Sequence, residues 1–71
     1  TLMIYYRVKT AFRADASELY SMVFGERVHS YSYMNPEQGL FFYGFDDDTV
    51  TPANLGPLVR VERVTDLSIL P

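Results

Sequence analysis

The chain of 71 residues has no cysteine and no tryptophan, a single histidine, and six lysine and arginine residues against nine aspartate and glutamate residues. Without cysteine, disulfide bonds and thiolate metal sites are excluded, although small domains commonly need such supports. The formal net charge of −3 disfavours general binding to nucleic acids or anionic membranes, because such binding requires many cations on one surface.

Long apolar segments and phosphate-binding motifs are also missing. The longest stretch without charged residues, Thr49–Val59, contains two prolines and is shorter than the roughly 20 apolar residues of a membrane span. The start of the chain has no signal-peptide pattern, so we expect a cytoplasmic protein with no membrane partner. The four glycines stand singly, and neither GxxxxGK[ST] nor GxGxxG occurs, so no glycine-rich phosphate site is predicted.

Apolar and aromatic residues, in contrast, are abundant. Hydrophobic residues make up 48% of the chain, including six tyrosines and five phenylalanines. This composition is typical of a globular protein, and the length predicts one small domain over residues 1–71.

The first half of the chain predicts a strand followed by a helix. Alternating side chains with many β-branched and aromatic members predict a strand over Leu2–Phe12. Asp15, followed by Glu18, is typical of a helix start, and a stripe of apolar residues continues to Val23. Gly25 is well placed to end this helix of about ten residues.

The second half predicts three more strands. Two of them, over Arg27–Met34 and Leu40–Phe45, are separated by a five-residue turn that contains proline and glycine. We expect one tight helical turn over Thr51–Gly56 and a last strand over Leu58–Val64. Residues 65–71 are partly apolar, and the sequence leaves open whether they extend the last strand, fold back or reach another chain.

This order of elements predicts an α+β fold with a four-stranded antiparallel sheet and one main helix. A right-handed strand–helix–strand crossover, with the third strand between the first two, gives a ferredoxin-like sheet whose second helix is reduced to one turn. We expect the helix to cover one face of that sheet.

The pairing of the second and third strands decides which side chains share a face. Symmetric pairing about the five-residue turn sets Met34 opposite Leu40, and a one-residue slip exchanges all partners. This register predicts an aromatic ladder on one face, built from the pairs Tyr33–Phe41, Tyr31–Tyr43 and His29–Phe45. The sequence leaves open which face meets the helix; we favour the ladder on the helix side, and a ladder on the outside would leave a larger exposed patch.

One short helix cannot cover both faces of a four-stranded sheet, so the second face is expected to keep exposed apolar groups. Such patches usually mark an interface. The predicted interaction surface consists of Met3, Tyr5, Arg7, Lys9, Met34, Leu40, Phe42 and Arg60. The sequence therefore favours a non-enzymatic interaction or regulatory module that forms a homo-oligomer or docks on a protein partner.

An alternative is a small RNA or single-strand binder. The segment Gln38–Phe45 resembles the third-strand signature of the RNA-recognition motif, and Ile4-Tyr5-Tyr6 lies where its first-strand signature would be. The resemblance covers about Leu2–Phe45 and implies that Tyr5 and Phe42 stack on bases, with Leu40 at the position of a third ring. Gln38 stands where the motif has a basic residue, and Phe41 where it has a small one.

Catalytic, metal and cofactor motifs are not predicted. His29 has no activated nucleophile or orienting partner near it in the sequence, and Asp46-Asp47-Asp48 lacks the spacing of a calcium loop. We expect no cofactor. A catalytic or ligand-binding domain whose pocket forms only between subunits remains the third hypothesis.

Overall fold

A computed structural model describes residues 3–71, and Leu2, where the predicted first strand begins, lies outside them. Within this range the chain forms an α+β fold, as the sequence predicts. Its elements are β1 (Ile4–Thr10), α1 (Ala16–Phe24), β2 (Tyr31–Asn35), β3 (Leu40–Phe45), β4 (Val59–Val64) and a 3-10 turn at Leu67–Ile69.

The four strands form one antiparallel sheet in the order β2-β3-β1-β4. The third strand therefore lies between the first two, as the crossover argument predicts. β1 and β3 are the central strands, whereas β2 and β4 form the two edges. α1 packs on one face of the sheet, and we call the opposite face the open face.

Local hydrogen bonds explain where α1 begins and ends. The Asp15 side chain accepts a hydrogen bond from the backbone N–H of Glu18 at 3.0 Å. Gly25 follows the helix with a φ of 70°, and its N–H donates to the carbonyl oxygen of Ser21. Both predicted boundaries are confirmed, and both have the expected physical cause.

The core lies between α1 and the sheet. Leu19, Val23 and Phe24 are the buried residues of the helix. They pack against side chains from β1, β3, β4 and the loop before β4, namely Val8, Phe41, Tyr43, Phe45, Val50 and Val59. Alternate residues of β3 therefore supply the large aromatic part of the core.

The β2–β3 hairpin corrects the predicted register by one residue. Met34 lies opposite Phe41, and Asn35 lies opposite Leu40, so the connecting turn is one residue shorter than predicted. The turn closes through hydrogen bonds from Gln38 N–H to Asn35 O and from Gly39 N–H to Pro36 O. The positive φ of 65° at Gly39 permits this tighter closure.

The shifted register separates the residues of the predicted aromatic ladder. β3 still directs Phe41, Tyr43 and Phe45 toward α1, but Tyr31 and Tyr33 now lie on the open face. The prediction of a single ladder on the helix side is therefore wrong, and the open face gains two rings.

The predicted helical turn over Thr51–Gly56 does not form, and this segment is irregular. The Asn54 side chain accepts from Gly56 N–H, and such local bonds compete with helical ones. The segment is fastened instead to the end of α1, because Ala53 N–H donates to Val23 O at 2.8 Å.

β2 begins later than predicted, at Tyr31, because Arg27 binds the loop after β3 and does not join the strand. Its guanidinium donates to the Asp47 carboxylate at 2.7 Å and to Thr49 Oγ1 at 2.9 Å, which draws the chain toward the loop after β3. The carbonyl oxygen of Arg27 also accepts a hydrogen bond from the Tyr20 hydroxyl.

Candidate interaction surface

The open face is organised as three rows that cross the sheet, because residues directly opposite in antiparallel strands project to the same side. In the order β2, β3, β1, β4, the rows are Tyr31–Gly44–Tyr5–Val64, Tyr33–Phe42–Arg7–Glu62 and Asn35–Leu40–Lys9–Arg60. One end of this face is therefore aromatic and apolar, whereas the other carries two cations.

In the first row, two tyrosine rings meet across a glycine. The rings of Tyr5 and Tyr31 have centroids 5.7 Å apart and meet edge to face. They approach because Gly44 has no side chain, and a Cβ placed there would lie 2.7 Å from Cε1 of Tyr5 and 3.0 Å from Cε of Met3. The residue at position 44 thus controls the shape of this part of the surface.

The second row combines an aromatic pair with an ion pair. The rings of Tyr33 and Phe42 lie 6.2 Å apart, and the Arg7 guanidinium binds the Glu62 carboxylate at 2.9 Å. Phe42 is only 4% exposed, whereas Tyr33 is 38% exposed. The expectation that Phe42 is a freely accessible contact residue is therefore corrected, and Tyr33 is the accessible ring of this row.

The third row brings two like charges together. Lys9 and Arg60 are both exposed and lie directly opposite each other on β1 and β4. Within residues 3–71 neither has an acidic group within ion-pair distance, since Glu62 is bound to Arg7. Like charges in this position destabilise a strand pair unless an anion lies nearby.

The C-terminal segment folds back and crosses the end of the sheet that carries the first row. It leaves β4 after Val64, at one edge, and the Tyr31 hydroxyl at the other edge donates to the carbonyl oxygen of Pro71 at 3.2 Å. Asp66 begins the 3-10 turn by accepting from the Ser68 hydroxyl and backbone N–H. These two hydrogen bonds lower the pKa of Asp66.

This segment adds apolar side chains to the end of the molecule that already carries the tyrosines. Leu67 is 57% exposed and Ile69 is 45% exposed. The sequence noted both residues as apolar but left open what they cover.

The structure brings together all but one of the predicted surface residues. Six of them lie in the three rows, and Met3 lies beside Gly44. Met34 is the exception, because it lies opposite Phe41 and therefore on the helix side of the sheet, where it is 53% exposed. The register error accounts for this misplacement and for the omission of Tyr31 and Tyr33.

A cluster of titratable rings lies at the edge of the core, away from the open face. The rings of Tyr20 and His29 lie 4.9 Å and 5.5 Å from that of Tyr43, whose hydroxyl is buried and has no hydrogen-bond partner within residues 3–71. Burial, together with the nearby Tyr20, raises the pKa of Tyr43 to about 12. The phenol is therefore neutral at physiological pH and is a weaker acid than an ordinary tyrosine.

Anionic side chains do not gather into a metal site in the part of the chain that the structure describes. In the acidic run after β3, the Asp47 carboxylate accepts from the backbone N–H and hydroxyl of Thr49 and also binds Arg27. These hydrogen bonds to Thr49, followed by the Arg27 charge, lower the pKa of Asp47. Asp47 therefore organises the loop.

Two grooves are open to solvent on the helix side. The larger, about 880 Å³, follows the outer edge of β4 and is bounded by residues 52–57, with Tyr6 and Val61 in its lining. The smaller, about 330 Å³, lies between α1 and the loop after β1, with Phe12 and Met22 in its lining.

Comparisons of the chain with protein-family models, with curated proteins and with solved structures gave no match. Among residues 3–71, no helix has the length and apolar character needed to cross a membrane. The cytoplasmic location expected from the sequence stays a prediction.

Proposed function

We propose that this domain is a non-enzymatic interaction or regulatory module, built on a ferredoxin-like sheet, that contacts a second copy or a protein partner through its open face. The observation that carries this proposal is the placement of Tyr5, Tyr31 and Tyr33 on the face that α1 does not cover. The strand order β2-β3-β1-β4 supports the ferredoxin-like description, with the second helix missing.

The exposed part of this surface has the composition of a protein interface. Tyr33, Leu67 and Ile69 offer apolar area, and the exposed cations Lys9 and Arg60 lie toward the other end of the open face. Tyrosine and arginine are enriched at protein interfaces because they combine large contact area with polar groups. A fitting partner therefore presents an acidic group beside apolar side chains.

The nucleic-acid alternative has one observation in its favour and one against it. Tyr5 and Phe42 lie on the same face of the two central strands, as the resemblance to the RNA-recognition motif implies. However, Phe42 is almost completely buried, and stacking on a base requires an accessible ring face. Protein binding is therefore the better-supported function.

Neighbouring residues on β2 provide a matched pair of variants for the test. Tyr33 lies on the open face and Met34 on the helix side, and both are exposed. Tyr33→Gln should weaken capture of the partner or of a second copy, whereas Met34→Gln should leave it unchanged. The measurement is quantitative affinity capture from the source cells, with thermal unfolding to verify that both variants fold.

A direct titration with mixed single-stranded oligonucleotides tests the alternative. The proposal expects no salt-sensitive binding. Oligonucleotide binding that weakens with salt and is lost in Lys9→Ala would contradict the proposal and support nucleic-acid recognition as the function. The proposal also fails if the wild-type chain captures neither a protein nor a second copy. It fails equally if Tyr33→Gln captures everything that the wild type captures.

A further inference from the structure

The outer edge of β4 carries unpaired backbone groups. Ala11 N–H donates to Leu58 O, and antiparallel strands alternate between residues that bond inward and residues that point outward. The register of β1 with β4 then turns Val59, Val61 and Arg63 outward. The N–H of Val59 is taken by Gly56 O, whereas within residues 3–71 the N–H groups of Val61 and Arg63 have no backbone partner.

The charges on β4 select one register for pairing with an identical strand. Outward residues must face outward residues, so the register changes in steps of two. With Val61 opposite Val61 of the second copy, Arg60 lies opposite Glu62 of the second copy, and this pairing occurs twice because of the symmetry. A shift by two residues in one direction places Glu62 opposite Glu62 of the second copy, and a shift in the other direction places Arg60 opposite Arg60 of the second copy. Both shifted registers therefore bring like charges together.

The same pairing relieves the like-charge contact within one molecule. Lys9 and Arg60 lie opposite each other without an acidic partner in the described chain. Glu62 is half exposed at the edge and binds Arg7 on one side only. A second copy would place its Glu62 beside Arg60, so each carboxylate would lie between two guanidinium groups.

We propose that two copies of the chain pair antiparallel through β4, centred on Val61, to form one continuous sheet. This inference goes beyond the proposed function, because it adds a second contact, at the edge of the sheet, to the contact proposed for the open face. Both open faces then lie on the same side and both α1 helices on the other. The groove of about 880 Å³ borders this edge, with Val59, Val61 and Glu62 in its lining.

A charge reversal at position 60 separates the dimer contact from the stability of the monomer. In Arg60→Glu, two attractive pairs across the dimer become repulsive, whereas the new carboxylate gains Lys9 as a neighbour within its own chain. We expect dimerisation to weaken about tenfold or more, without a loss of thermal stability. Sedimentation equilibrium over a range of concentrations measures the first effect, and thermal unfolding measures the second.

Arg63→Glu is the matched control, because it makes the same change in net charge on the same strand. Its side chain lies on the helix side, opposite Tyr6, and in the proposed dimer it faces Val59 of the second copy. We therefore expect little change in dimerisation. Equal weakening by both variants would indicate a general charge effect and overturn the register.

Mixing two variants that do not self-associate provides a positive test. Arg60→Glu has two carboxylates at the contact and Glu62→Arg has two guanidinium groups, so the mixture should form heterodimers. If Glu62→Arg does not fold because of its proximity to Arg7, Val61→Pro replaces it as a second disrupting variant. That proline removes an outward N–H without breaking a bond to β1.

The proposal is overturned if the wild-type chain is monomeric at all concentrations, or if dimers persist unchanged in both Arg60→Glu and Val61→Pro. Partner capture that depends on Tyr33 but not on Arg60 would leave the open-face function standing without the β4 dimer. The two proposals can therefore fail separately.

Discussion

The hydroxyl group of Tyr31 donates a hydrogen bond to the carbonyl oxygen of Pro71 at 3.2 Å, which joins the C-terminal segment to the edge strand farthest from β4. The other hydrogen bonds of this segment within residues 3–71 are local to its 3-10 turn, such as that from Leu70 N–H to Leu67 O. One tyrosine hydroxyl therefore connects the far end of the segment to the sheet.

We expect Tyr31→Phe to loosen the C-terminal segment without unfolding the domain. A single hydrogen bond of this kind contributes about 0.5–1.5 kcal/mol, so the segment should open several-fold more often. Hydrogen exchange at the Leu70 amide measures this opening. Tyr33→Phe is the control, because it removes a hydroxyl from the same strand and face; similar exchange in both variants would contradict the role of the Tyr31 hydroxyl.

Gly44→Ala should destabilise the fold, since the new methyl group would lie 2.7 Å from Cε1 of Tyr5. The ring must move away from its edge-to-face contact with Tyr31. Overpacking of this kind costs about 1–3 kcal/mol, and we expect the lower end because the displaced group is a side chain. Chemical denaturation measures the free energy of unfolding.

A double-mutant cycle tests whether the Tyr5 ring is the cause. In a Tyr5→Ala background the ring is gone, so Gly44→Ala should cost much less than in the wild-type chain. An equal cost in both backgrounds would place the strain elsewhere, for example at Met3.

Much of the fold follows from local chemistry that the sequence displays. Asp15 and Gly25 mark the ends of α1, and both form hydrogen bonds with residues three or four positions away in the sequence. The bounds of β3 agree with the prediction, because this run of apolar and aromatic residues is bounded by a turn with proline and glycine on one side and by three aspartates on the other. The strand order followed from the crossover rule.

The errors occurred where a distant contact or a turn decides the outcome. The hairpin register depends on the left-handed conformation of Gly39. This conformation lets Asn35 pair with Leu40, so the turn has one residue fewer than the sequence predicted. That single step moved Tyr31 and Tyr33 to the open face and Met34 away from it. The start of β2 depends on the ion pair between Arg27 and Asp47, which are far apart in sequence.

Asp15→Ala should destabilise the domain by about 1 kcal/mol, because the backbone N–H of Glu18 loses its side-chain acceptor. Asp15→Asn keeps an acceptor oxygen at the same place and is the conservative control. Thermal unfolding of the two variants distinguishes capping from the loss of a charge. The capping role would be contradicted if both substitutions lowered the melting temperature equally.

Tyr43 predicts how the stability of the domain depends on alkaline pH. Burial of its hydroxyl, with a smaller contribution from Tyr20, raises the pKa from 10.0 to about 12 in the folded chain. The unfolded chain therefore loses this proton at lower pH than the folded chain. The stabilisation is fully present below pH 10.0 and is lost as the pH rises toward about 12.

Tyr43→Phe removes both this pH dependence and a buried hydroxyl that has no partner. We expect the free energy of unfolding near neutral pH to rise by about 1 kcal/mol, since an unsatisfied buried polar group is costly. Between pH 10.0 and about 12, the variant should lose less stability than the wild type. Tyr33→Phe, which alters an exposed hydroxyl, should leave the alkaline loss intact. A steeper alkaline loss in Tyr43→Phe would mean that another group controls unfolding in this range.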